Sequence, residues 1–173
     1  MENFTNETID TNQLPRYEEV PFTPLHAKYK TVVLLNVSVF TGVVITGTVI
    51  YASFNHDVVT PTIWTFISIG LLVLLGLVYF FALLGLKKKG FAFRNHDVLY
   101  RSGIIATSTM VIPYNRIQHV ALHEGLISRY FGLAKVEIFT AGGSASDIKI
   151  PGIAIAQAEN IKQLLMGKIQ KQL

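Results

Sequence analysis

The sequence has no cysteine, one tryptophan and few charges. Without cysteine, these 173 residues hold no disulfide, no thiolate metal site and no cysteine nucleophile. Charged residues make up 15% of the chain, against about 25% in an average soluble domain. Half of the residues are apolar, and the mean hydropathy is +0.42. The shortfall of charge argues against an ordinary soluble protein, although the length alone would suit a single domain.

The charge that is there falls unevenly. Residues 1–30 carry three basic and five acidic residues, a net of −2. Residues 31–86 carry only Asp57. Residues 87–173 carry twelve basic and five acidic residues, a net of +7. The overall +4 thus conceals an acidic tail, an uncharged middle and a basic C-terminal half.

The middle holds two apolar runs, 31–54 and 62–86. About 24 residues at ~1.5 Å each give roughly 36 Å of helix, enough for a bilayer core of about 30 Å with some tilt. Buried helices of soluble proteins rarely stay apolar on every face for this length. Both runs therefore read as transmembrane helices. The link 55–61 is too short for a domain, so the pair forms a hairpin with both chain ends on one side. That link has no Lys or Arg, whereas Arg16, Lys28 and Lys30 precede the first helix and Lys87, Lys88, Lys89 and Arg94 follow the second. The positive-inside rule places both ends in the cytoplasm. A signal peptide is not expected, because the first run starts about 30 residues in and exceeds an h-region of ~7–15 residues. With the tail inside, the sequons at Asn3 and Asn6 carry no meaning.

The helices offer Asn36, Ser38, Thr41, Thr46, Thr48, Thr62, Thr65 and Ser68, none of them ionisable. Ion and proton pathways usually need such a group at membrane depth, so the hairpin reads as an anchor. Gly42, Gly47, Gly70, Gly76 and Gly85 would allow close helix contact, but none forms G-x-x-x-G. In the tail, residues 1–27 are polar with little periodicity, and the beginning is expected to be disordered. Residues 15–29 mix aromatic and apolar side chains with prolines. They suit packing on the membrane or on the folded domain equally.

From Gly90 the pattern changes to short runs separated by turn residues. Strands are expected over 91–94, 98–102, 104–112, 116–123, 133–140 and 147–150. Turns fall at 95–97, 113–115, 124–125, 142–144 and 151–152, and 126–131 suits one helical turn closed by Gly132. Apolar residues then recur at Ile155, Ala158, Ile161, Leu164, Leu165, Ile169 and Leu173, which is helical spacing. An amphipathic helix capping a small antiparallel barrel is the simplest architecture, and about 85 residues suffice for its core.

Several stretches in this half also resemble a known family. They are Phe91-Ala92-Phe93-Arg94, Tyr100-Arg101-Ser102-Gly103-Ile104 and the run from Ile112 through Pro113-Tyr114-Asn115-Arg116 to Val120. Arg129-Tyr130-Phe131-Gly132-Leu133-Ala134, Ile138-Phe139-Thr140-Ala141-Gly142-Gly143 and Ile150-Pro151-Gly152 continue the match. Together they resemble the bacterial pleckstrin-homology (PH) domain of the YdbS-like membrane proteins over residues 87–173, and the two preceding helices fit that family's layout. The resemblance implies a seven-stranded, partly open barrel capped by a C-terminal helix, at a bacterial cytoplasmic membrane. It also implies a partner, since relatives often accompany a larger membrane protein with several PH-like domains.

The division that follows is a tail over 1–30, helices over 31–54 and 62–86, an external loop over 55–61 and a PH-like domain over 87–173. No residue pattern here points to catalysis or a cofactor. G-x-S-x-G, the P-loop and H-E-x-x-H are absent, and Gly142-Gly143-Ser144 lacks the Gly-Lys-Ser/Thr of a phosphate cradle. His119 and His123 lie on one expected strand, about 13 Å apart, and His96 would have to join them by tertiary luck. They read as structural histidines rather than metal ligands.

Tyr114, Asn115 and Arg116 form a candidate fold or interaction motif, with the Arg116 fork expected to tie the turn to a neighbouring strand. Lys87, Lys88, Lys89, Arg94 and Arg101 are candidate contacts for anionic lipid headgroups, each basic residue near such a surface contributing about 1 kcal/mol. Asp97 interrupts the first-strand set. Charge alone would also permit nucleic acid, but a membrane-tethered basic domain is better explained by lipid, and no nucleic-acid partner is expected. A homo-oligomer is compatible with the same chain. The leading expectation is a non-enzymatic scaffold or assembly module. The alternative is an anionic-lipid sensor.

Overall fold

The computed structural model describes residues 17–55, 60–141 and 148–170. The sequons, the loop 56–59, the turn 142–147 and Leu173 lie outside the described residues.

Long apolar sequence in lipid must pair its own backbone groups, and a helix does so within one segment. Two helices result, α1 over Tyr29–Phe54 and α2 over Pro61–Lys87. Pro61 opens α2, where its missing N–H removes no helical bond. The two helices pack on each other, and the Ser38 and Tyr79 hydroxyls meet at 2.9 Å between them. Their remaining surface is apolar and exposed, as lipid-facing helices require. The glycines do not serve the close approach expected of them. A Cβ at Gly42, Gly47, Gly70 or Gly76 would meet no atom within 4 Å.

The domain begins two residues after α2. Strands β2 (Gly90–Phe93), β3 (Asp97–Ser102) and β4 (Ser108–Pro113) form an antiparallel meander. Its outer edge is completed from ahead of the membrane helices. Strand β1 (Thr23–Pro24) pairs with β2, Thr23 opposite Phe91 and Pro24 opposite Gly90. Proline is tolerated there because an edge strand has a free side. A second sheet holds β5 (Ile117–His123), β6 (Leu133–Thr140) and β7 (Ile148–Ala154), with the short helix α3 (Leu126–Tyr130) between β5 and β6. Helix α4 (Ile155–Gln170) caps the assembly.

Seven strands in sheets of four and three thus make the partly open, helix-capped barrel among the described residues. Val98, Val136, Ile138, Ile148, Ile150 and Ile153 fill it, and α4 adds Ala158, Ile161 and Leu165. Leu164 was expected on this stripe but is exposed.

Of the two surfaces open to residues 15–29, their described part lies on the domain through β1. The structure departs from sequence expectation at two places. Residues 104–107 are not strand, although Ile104 and Ile105 favour one. Gly103 takes φ +118°, where a Cβ would lie 1.9 Å from the Ala106 carbonyl oxygen, so the chain reverses tightly and β4 starts at Ser108.

The last strand runs through Pro151-Gly152 instead of stopping before it. Ala134 and Val136 face Ile153 and Ile150, so one extra residue bulges out of β7. Pro151 has no N–H to place, and Gly152 takes φ +64°.

That bulge holds the base of α1. The His26 N–H donates to the Gly152 carbonyl at 2.9 Å, and a Cβ at Gly152 would lie 2.2 Å from Tyr29 Cγ. On the second sheet Glu137 is the one buried charged residue among those described. Lys135 Nζ lies 2.6 Å from its Oε1, and His123 Nε2 lies 3.3 Å from Oε2. The Lys135 hydrogen bond holds the Glu137 carboxyl below the usual carboxylate range. Desolvation opposes this, and the charges of Lys135, His123 and Lys149 reinforce it.

Two expected outcomes follow. Gly152→Ala should destabilise the full-length protein in detergent by more than the ~1–3 kcal/mol of positive-φ strain alone, because it also displaces Tyr29. Gly132→Ala is the control, since Gly132 has φ +69° but open space around its Cβ position. Equal melting-temperature losses would remove the Tyr29 contact as the cause. For Glu137, a carboxyl depressed in the fold gives stability that is present above its unfolded pKa of about 4.3 and is lost as pH falls through the lower folded value. Below about pH 5, the wild-type melting temperature should fall more steeply than that of Glu137→Gln. Parallel curves would contradict this.

Candidate functional site

The sequence-derived candidates separate by height above the membrane helices. Lys87 ends α2, Lys88 caps it, and Lys89 leads into β2. Lys87 and Lys88 are exposed and Lys89 is half-buried. Arg101 stands opposite Gly90 in register, so it belongs to the same membrane-proximal end. Its guanidinium lies 4.3 Å from the centre of the Phe22 ring. This cation–π contact pins the chain that leads into β1.

Beside these residues lies a cleft of about 450 Å³ at the base of the hairpin. Leu25, Leu83 and Leu86 give it an apolar wall, and Lys30 and Lys87 bring a cation from each helix. Sequence reasoning did not single out Lys30 for this place. It sits 57 positions before Lys87, and only the hairpin brings the two together.

Arg94 lies at the other end. Four residues of strand at about 3.3 Å each carry the chain roughly 13 Å from Gly90. There Arg94 forms a two-pronged pair with Asp97, Nε to Oδ1 at 2.6 Å and Nη2 to Oδ2 at 2.5 Å. The residue that interrupts the basic set in sequence therefore occupies the fork of one of its members.

The whole 94–97 reversal is closed in the same way. The Arg94 N–H donates to the Asp97 carbonyl at 2.9 Å. The Tyr114 hydroxyl donates to the Arg94 carbonyl at 2.6 Å, and the Tyr114 N–H to the His96 carbonyl at 3.0 Å. Lys168 Nζ from α4 donates to the Asn95 carbonyl at 3.1 Å. All four carbonyls of the loop are thus satisfied within the domain.

Tyr114 is the hub of this joint. Pro113 leads into a single 3-10 turn over Tyr114–Arg116, which drives the Tyr114 ring into the core at 2% exposure. Burial, then the nearby Asp97, pushes its hydroxyl pKa up, so the group stays a neutral donor. Lys168 Nζ lies 5.6 Å from the ring centre. Asn115 and Arg116 are exposed.

The backbone of Arg116 ties the turn to the neighbouring strand end, its carbonyl accepting from the Ala141 N–H at 3.1 Å. Lys168 was not legible as a partner because it lies on another element.

The histidines have ordinary duties. His119 stacks on Phe139 with ring centres 4.1 Å apart, and His123 faces Glu137. Among the described residues no group of three His, Asp or Glu side chains converges. Chemically, the arrangement offers a cationic, apolar-walled membrane junction and an internally closed distal loop.

Comparison with known proteins agrees with this architecture. A family profile described as the bacterial PH domain matches residues 32–169, a span that takes in all of α2 and all but the first three residues of α1. The chain is 31% identical over 86 residues to UPF0699 transmembrane protein YdbT of Bacillus subtilis (strain 168), covering 48% of this chain and 17% of that protein. It is 30% identical over 67 residues to UPF0699 transmembrane protein YdbS of the same organism, covering 39% of this chain and 40% of that protein. The match thus spans less than half the length of either relative. No solved structure matches. With most of its length inside the family profile and two apolar helices that pack as a hairpin, the chain is a membrane protein of the bacterial PH domain family.

Proposed function

We propose that the protein is a non-enzymatic assembly element that presents its PH-like domain as a fixed platform on the cytoplasmic face of a bacterial inner membrane. The observation that carries this reading is the double attachment of the domain. A two-residue link joins α2 to β2, and β1, His26 and Tyr29 hold α1 to β2 and β7. A domain held at two points keeps one orientation, which suits docking. The basic residues Lys28, Lys30 and Lys87 to Lys89 flank the domain ends of both helices and support the cytoplasmic side.

The proposed docking edge is β4, which among the described residues is paired only with β3 and which exposes Met110 and Val111. An unpaired edge can accept a strand from another sheet. The partner chemistry that fits is a second membrane protein built of PH-like units, such as a longer relative. Membrane confinement raises the effective concentration of such a pair.

A second reading is favoured by the basal cleft. Lys30 and Lys87 above Leu83 and Leu86 match an anionic headgroup above its acyl chains. This anionic-lipid reading draws on Lys87, Lys88, Lys89 and Arg101. It does not draw on Arg94, whose fork is occupied.

Photo-crosslinking in intact membranes tests the first reading. A photoreactive residue at Val111 should capture a membrane protein carrying PH-like segments, and the same residue at Asn95 should not. Capture of the chain itself alone, or equal capture from both sites, contradicts it. Native mass spectrometry tests the second. Anionic phospholipid should stay bound to the purified protein at high salt and be lost in Lys30→Gln/Lys87→Gln.

A further inference from the structure

Three large apolar side chains stand outside the core at the membrane end of the domain. Ile105 is 94% exposed, Leu126 93% and Tyr130 87%. Ile105 sits at the tip of the reversal enforced by Gly103. Its neighbour Ile104 packs on α2, where a Cβ at Gly85 would lie 3.2 Å from Ile104 Cδ1. A cavity of about 600 Å³ places Ile104 and Ile105 together with Phe81, Ala82, Gly85 and Lys89. Phe81 is six residues before the end of α2, about 9 Å up the helix at ~1.5 Å per residue. The turn therefore reaches the level of lipid-facing helix residues, on the membrane side of Lys87 to Lys89.

Helix α3 lies beside the base of the other membrane helix. It packs against α1, and Gly125 and Ser128 share a cavity with Tyr29 at the α1 base. Leu126 and Tyr130 are four apart and so lie on one face of α3. Arg129, exposed between them, adds a cation and is 3.7 Å from Glu124.

We propose that the Ile104–Ile105 turn and the Leu126/Tyr130 face of α3 enter the headgroup–acyl boundary of the leaflet on the domain's side. One lies beside each membrane helix. The surface is continuous with the lipid-facing surface of α1 and α2, which identifies lipid as what covers it. Tyrosine at such a boundary keeps its ring in apolar surroundings and its hydroxyl in water. Lys87, Lys88, Lys89 and Arg129 give the rim the charge that complements anionic headgroups. With α1 and α2 these two feet make four points of contact, and they set the height and tilt of the domain over the bilayer. The inference needs no protein partner and no specific lipid, so it stands or falls apart from both functional readings.

The test uses the absence of cysteine, which makes every introduced thiol unique. Full-length Ile105→Cys, Leu126→Cys, Tyr130→Cys and, as the distal control, Asn95→Cys are labelled with an environment-sensitive fluorophore. They are then placed in phosphatidylcholine–phosphatidylglycerol nanodiscs. Each substituted position is exposed, so folding is not at issue, and unchanged melting temperatures confirm it. Labels at 105, 126 and 130 should be quenched several-fold more by lipids spin-labelled near the top of the acyl chain than by aqueous iodide. The label at 95 should show the reverse. Iodide quenching at 105, 126 and 130 equal to that at 95 overturns the proposal. So does protection from iodide without quenching by the lipid, because a second protein copy would then cover the surface.

Discussion

The Tyr29 ring fills the space that a Cβ at residue 152 would occupy, and β7 bulges to admit it. This one steric fit couples the two halves of the molecule. Helix α1 starts at Tyr29, so the orientation of the hairpin is set by backbone that belongs to the second sheet. The His26 bond to the Gly152 carbonyl adds direction to the contact. A domain hung only from the Lys88-Lys89 link could swing. A domain gripped at Gly152 as well cannot do so without opening a packed contact.

Height above the membrane then sorts the charges by role. Near the helices, Lys30 and Lys87 line the basal cleft, Lys88 and Lys89 follow α2, and Arg101 stands opposite Gly90. Far from them, Arg94 and Lys168 are committed to carbonyls and carboxylate within the fold. The distal loop has no unpaired carbonyl to offer a ligand. It joins the first sheet to the 3-10 turn and the cap through Tyr114. The basic residues of the distal end thus serve cohesion within the fold.

Much of this was legible in the sequence. Uncharged runs of sufficient length identify helices in lipid without any knowledge of packing. Alternating Val136, Ile138 and Thr140 mark β6, and the Ala158, Ile161, Leu165 spacing marks the cap. What was not legible depends on contacts between distant segments. Thr23–Pro24 carries no periodicity, and it is a strand only because β2 offers an edge. Ile104 and Ile105 have strand propensity, but one glycine at positive φ overrides it. At Pro151-Gly152 the usual stop signal became a bulge because α1 needed the room. Among the candidate residues, Lys87 to Lys89 lie where their position after an apolar run implies. The pairing of Arg94 with Asp97 three residues on could have been read from that spacing. The role of Lys168 could not.

The position of β1 also imposes an order of assembly. This strand leaves the ribosome before α1, yet its partner β2 emerges only after α2. At ~5–20 residues per second the interval is of the order of seconds. During it, residues 23–24 have no sheet to join, and both helices must find the bilayer first. The edge of β2 is thus sealed by a segment that has been waiting since before membrane insertion. Insertion and domain closure are thereby one sequence of events, in which insertion of one helix without the other would part β1 from β2 and leave the first sheet unfinished.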